Sequence, residues 1–82
     1  MSWDVVWFSL AEADLRRVHW ETAARIAEAV QRLAATKQGP LRRVMINGVA
    51  ETRLLVPPHA AIVSLDRRDR LVKVWRIVRY AS

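Results

Sequence analysis

The sequence predicts an α+β domain, ordered β-α(α)-β-β-β, with an antiparallel sheet packed on one or two N-terminal helices. Three observations predict it. Leu10 to Thr36 contains no glycine or proline and repeats its apolar residues at helical spacing. Beyond Gly39, the chain is cut by Asn47–Gly48, Pro57–Pro58 and the polar stretch "DRRDR" into short β-branched runs. One more such run, "WDVVWF", precedes the helical region. Eighty-two residues without a linker, repeat or low-complexity tract make one domain, residues 1–82.

Each element follows in turn. "WDVVWF" (3–8) is valine- and aromatic-rich, which favours a strand covered on both faces. Ser9 is placed to cap the next helix, with Glu12 reaching back to it. Ala11, Leu15, Val18, Thr22, Ile26, Val30 and Leu33 then form one apolar stripe. Glu12–Arg16, Glu21–Arg25 and Glu28–Arg32 stand four apart in the favourable order. A single helix and a helical hairpin bent near "VHW" (18–20) both fit this pattern. Gly39 is read as the C-terminal cap, and Pro40 prevents continuation. "LRRVMI" (41–46) and "VAETRLLV" (49–56) flank Asn47–Gly48, the pair suited to a turn needing positive φ twice. "HAAIVSL" (59–65) and "LVKVWRIVRY" (71–80) flank "DRRDR". On the last strand, alternation puts Val72, Val74, Arg76, Val78 and Tyr80 on the face nearer the core. The tryptophans at 3, 7, 20 and 75 read as core residues, Trp75 least firmly, with base stacking as the other use.

Charge is distributed unevenly. Residues 1–36 carry four basic and five acidic side chains, while residues 37–82 carry ten basic and three acidic. The net charge of +6 therefore belongs to the strands, and a polyanion or an acidic protein is the natural partner. Without cysteine there is no disulfide framework or thiolate metal site, which fits a cytoplasmic location. No apolar run has the length of a membrane span, and no basic leader precedes the first apolar run. No metal-ligand spacing, nucleophile elbow or phosphate loop is found, so any catalysis is expected to need no metal or other cofactor.

The order "WDVVWF", "SLAEADLRR", "AVQRLAAT", "LRRVMINGV", "TRLLV" and "AAIVSLDRRDRLVKVWRIVRY" resembles the RelE/ParE superfamily of bacterial toxins, across nearly the whole chain. The resemblance implies a toxin neutralised by a cognate antitoxin. RelE-type members bind the ribosome and cut mRNA, and ParE-type members poison DNA gyrase without nuclease chemistry. Matched residue by residue, Arg53 takes a basic position on the first hairpin strand, Arg42 and Arg43 precede it, and Arg76 takes a basic position on the last strand. The chain departs from the pattern after "TRLLV". Pro57–Pro58 replaces a glycine-containing turn, His59 takes an aromatic position and Ala60 takes an arginine position. After Arg76, Val78, Arg79 and Tyr80 replace a glycine, a histidine or lysine, and an arginine, so the C-terminal site residues are missing or compressed into Arg79 and Tyr80.

Cleavage at a 2′-hydroxyl needs a base, a cation for the developing charge and an acid. The candidates are Arg53, Arg76 and Arg79 on phosphate, with His59 or Tyr80 moving protons. Arg42, Arg43, Arg67, Arg68, Arg70 and Lys73 are candidates for nucleic-acid contact. The expected function is a toxin that inhibits translation by metal-independent, ribosome-dependent mRNA cleavage. The alternative is a non-catalytic member of the fold, either a gyrase poison or a degenerate module for antitoxin or nucleic-acid binding. Read by itself, "LLVPPHAAIVSL" is first a rigid corner, because proline presets φ and removes a donor.

Overall fold

In the computed structural model, which describes residues 2–80, β1 (Asp4–Trp7) leads into two helices, α1 (Ser9–Arg17) and α2 (Trp20–Thr36). Four strands follow: β2 (Leu41–Ile46), β3 (Val49–Val56), β4 (His59–Asp66) and β5 (Leu71–Arg79). The sheet order is β1-β5-β4-β3-β2. The three later hairpins are antiparallel, as expected. The sheet as a whole is mixed, because β1 lies parallel to β5 with Asp4 opposite Leu71 and Trp7 opposite Val74. The long crossover through both helices permits this, since a parallel neighbour cannot be reached by a tight turn.

The helical region is broken. Val18 and His19 take extended dihedrals, and His19 caps α2 by accepting from the Glu21 N–H on Nδ1 at 3.3 Å. The break lets α1 cover the outer side of β5 while α2 crosses the sheet. Ile26, Val30, Leu33 and Ala34 of α2 are buried against Leu54, Val56, Ala61, Val63, Val72, Val74 and Ile77. Ile26, Val30 and Leu33 belong to the stripe the spacing predicts, and Ala34 adds to it.

Two predicted caps are corrected. Phe8, not Ser9, is the N-cap of α1, and no side chain caps it. Ser9 already lies inside the helix, and Glu12 instead reaches Arg16 at 3.9 Å. At the other end, Lys37 takes the left-handed conformation (φ 58°) and its N–H returns to the Leu33 carbonyl at 2.7 Å. Gly39 has a different use: a Cβ there would stand 3.2 Å from Leu54 Cδ1. Asn47 (φ 51°) and Gly48 (φ 80°) make the turn the sequence predicts.

The tryptophan reading is corrected in part. Trp3 and Trp7 pack against the core, but Trp20 is 72% exposed and Trp75 is 42% exposed.

Candidate functional site

Helices cover one face of the sheet, and the other face is open. Residues paired across antiparallel strands share a face. Leu54, Ala61 and Ile77 are mutually paired and buried under the helices. Alternation therefore puts Arg53 on the open face. Arg42 is opposite Arg53, Arg53 is opposite Ile62, and Ile62 is opposite Arg76. Three arginines thus stand in one row across four neighbouring strands, which spans about 14 Å at the usual strand spacing.

A bulge in β5 puts Arg76 in that row. Ile62 pairs with Arg76 but Val63 pairs with Val74, so Trp75 is an extra residue. The extra residue corrects the alternation read from sequence. Val72, Val74 and Ile77 hold the buried positions, and Arg76 moves to the open face with its side chain 45% exposed.

Both central arginines are braced by acids. Asp14 of α1 is itself buried and accepts from Arg76 Nε at 2.8 Å and Arg76 Nη2 at 3.2 Å. The same carboxylate accepts the Ile77 N–H at 3.0 Å. β1 pairs with β5 only as far as Val74, so Ile77 lies beyond the end of that ladder and Asp14 supplies its acceptor. The Arg76 hydrogen bonds hold the Asp14 carboxyl below its ordinary range, burial opposes them, and the Ile77 N–H adds to them. Arg76 is correspondingly raised. Asp14 occupies one edge of the guanidinium. The remaining Nη donors form a second fork of the kind that takes a phosphate bidentately. Arg53 is braced similarly, with Nε at 2.9 Å and Nη2 at 2.8 Å from Glu51 Oε2.

The other predicted residues do not all join this row. Val56 belongs to the core and is opposite His59, which is opposite Arg79. His59 and Arg79 therefore lie on the helix-covered face, about 10 Å along the strands from the arginine row. Their sequence grouping with Arg53 and Arg76 into one constellation is corrected on this register. Among the described residues, the buried His59 Nδ1 has no hydrogen-bond partner. Tyr80 follows β5 on the open-face register, is 40% exposed, and donates its N–H to the Pro58 carbonyl at 3.1 Å. Arg43 is opposite Thr52 and falls on the face away from Arg42. Arg67, Arg68 and Arg70 are exposed at the β4–β5 turn, at the end of the sheet remote from Tyr80. Lys73 joins Asp66 at 3.3 Å.

The bracing acids are what sequence reasoning missed. Asp14 stands within the Ala11–Leu15–Val18 stripe, and a carboxylate on an apolar stripe signals a buried partner. Glu51 stands two residues before Arg53 on one strand, hence on the same face.

No family model and no curated protein sequence matches the chain. Its structure is similar to that of the RelBE2 toxin–antitoxin complex of Mycobacterium tuberculosis. That match has a TM-score of 0.84 and 13% identity, and covers 100% of this chain and 95% of that one. It is also similar to the archaeal RelE–RelB complex of Pyrococcus horikoshii OT3, with a TM-score of 0.79, 14% identity and coverage of 98% and 97%. A free mutant of the E. coli toxin RelE aligns with a TM-score of 0.65 at 6% identity, covering 96% of this chain and 84% of that one. At such low identity the shared property is architecture: the chain has the fold of RelE-type toxins.

Proposed function

We propose that the protein is the toxin of a toxin–antitoxin pair and inhibits translation in the cytoplasm by cutting mRNA on the ribosome. The observation that carries this reading is the row Arg42–Arg53–Ile62–Arg76 on the open sheet face, with Arg76 held by Asp14. The fold it shares with toxins solved alongside RelB antitoxins supports the antitoxin partner. In this reading Arg53 and Arg76 hold the scissile phosphate and the charge that develops on it. Their carboxylate partners fix each guanidinium in place before RNA arrives. Tyr80, which shares the open face about 13 Å along the strand direction from Arg76, is the remaining candidate for moving protons. Arg42 and Lys73 extend the cationic track along the RNA. His59 and Arg79 support the sheet end from the other face and do not touch substrate. The reaction uses no metal.

Induced expression, with and without the neighbouring open reading frame, tests toxicity and its neutralisation. Primer extension on translating ribosomes then shows codon-positioned cuts. Arg53→Ala and Arg76→Ala remove those cuts while far-UV circular dichroism stays unchanged. Unchanged cutting in both variants refutes the site.

The acid partners of Arg53 and Arg76, with Ala60 where the resembling family places arginine, favour a second reading. Here the fold binds without catalysis, as a gyrase poison or a degenerate antitoxin- or nucleic-acid-binding module. Toxicity without mRNA cuts, together with inhibited supercoiling by purified gyrase, selects the gyrase form.

A further inference from the structure

The bulge that brings Arg76 into the arginine row also brings out Trp75. One side of the indole is covered by Phe8, with ring centroids 4.2 Å apart and planes inclined by 11°. Its Nε1–H donates to Ser64 Oγ at 2.7 Å, so the ring is fixed in direction as well as in plane. Trp75 remains 42% exposed. Trp75 lines an open-face groove of about 530 Å³ together with Arg76, Ile62 and Glu51. A large aromatic held half in water by a backing ring and a hydrogen bond is not serving the core, whose residues lie on the other face.

An immobilised π-surface one residue from a cationic fork matches the two halves of a nucleotide. The base stacks on the ring, and the phosphate meets the guanidinium. The surrounding charge favours the same occupant, since Arg42 and Arg53 continue from Arg76 across the sheet. An apolar peptide would leave the open Nη edge of Arg76 unused.

Resting on the RNA-directed reading above, we propose that Trp75 is the base-stacking platform of a nucleotide subsite whose phosphate lies at Arg76. Phe8 and Ser64 are its positioning residues. The ring discriminates by stacking and not by hydrogen bonds, so the subsite accepts any base and prefers purines for their larger area.

The test is a coupling measurement on a fluorescein-labelled single-stranded RNA hexamer, read by anisotropy at low salt. Trp75→Ala weakens binding by about tenfold, within the range stacking of one base supplies. Trp75→Phe stays within about threefold of the unsubstituted protein, because the ring face is kept. An abasic scan of the hexamer finds one position whose loss weakens the unsubstituted protein by a similar factor and leaves Trp75→Ala unaffected. Three results overturn the proposal: no hexamer binding by the unsubstituted protein, equal affinity for Trp75→Ala, or equal loss on intact and abasic RNA. If Trp75→Ala binds like the unsubstituted protein but mRNA cuts persist, the subsite fails and the toxin reading stands. If the unsubstituted protein makes no cuts, the toxin reading fails whatever the hexamer shows.

Discussion

Removing the Asp14 carboxylate should act on stability in a way set by its three acceptor contacts. Asp14→Ala leaves the Ile77 N–H without its acceptor, a contact now 3.0 Å long and buried. An orphaned backbone donor costs about 1–3 kcal/mol. Loss of the Arg76 pair adds only about 0–1 kcal/mol, because the Arg76 side chain keeps 45% exposure and water takes over its solvation. The sum is about 1–4 kcal/mol. Asp14→Asn keeps an oxygen for the Ile77 N–H and loses the charge, so it costs about 1 kcal/mol. In urea, with a slope of about 1 kcal/mol per molar for a chain this small, the midpoint falls by about 1–4 M for alanine and about 1 M for asparagine. The pH dependence is the sharper test. The folded state holds the Asp14 carboxyl below its ordinary value. Its contribution is therefore complete above the unfolded pKa of about 3.9, and it is lost as the pH falls through the lower folded value. The gap between Asp14→Asn and the unsubstituted protein should close below about pH 4. Asp66, lowered chiefly by the Asp69 N–H, titrates in the same window in both proteins and cancels from the difference. Denaturation followed by circular dichroism at neutral and acidic pH measures this. An alanine variant as stable as the unsubstituted protein, or an asparagine gap that stays constant into acid, would refute the role assigned to Asp14.

Three further outcomes can be measured. Gly48→Ala should cost about 1 kcal/mol in urea denaturation, because φ is 80° and a Cβ there meets open space, so only backbone strain is added. Leu33→Ala should cost about 2–5 kcal/mol, since Leu33 is fully buried beneath the sheet, and a loss below 1 kcal/mol would place it outside the core. Binding to single-stranded RNA should weaken linearly on a log–log plot against salt, and Arg42→Ala should reduce the slope by about 0.7, the value for one phosphate contact. A slope unchanged by that variant removes Arg42 from the RNA track.

The strand boundaries, the Asn47–Gly48 turn and the apolar stripe of α2 were legible because each rests on local chemistry. Turn geometry needs particular residues, and burial needs a periodic face. The helix break at Val18–His19 was half legible: "VHW" marked the place, but a cap made by the His19 ring depends on where α1 must go. The family resemblance pointed to Arg42, Arg53 and Arg76, but their alignment in one row was not legible. Alternation along β5 put Arg76 on the wrong face, because a bulge adds one residue without changing composition. His59 drew attention as a titratable group beside two prolines, yet cross-strand pairing with Val56 turned it toward the helices.

Composition and periodicity by themselves determined that this chain forms one strand, then a helical region, then a run of strands, that it buries one face of a long helix, and that its positive charge rides on the sheet. Those properties follow from neighbours within a few residues, which sequence displays directly. The tertiary structure alone decided that β1 runs parallel beside β5, that Trp75 bulges outward, and that Asp14 reaches Arg76 across 62 positions of chain. Each of these is a contact between distant segments. Its geometry is fixed by register and packing, which no local pattern encodes.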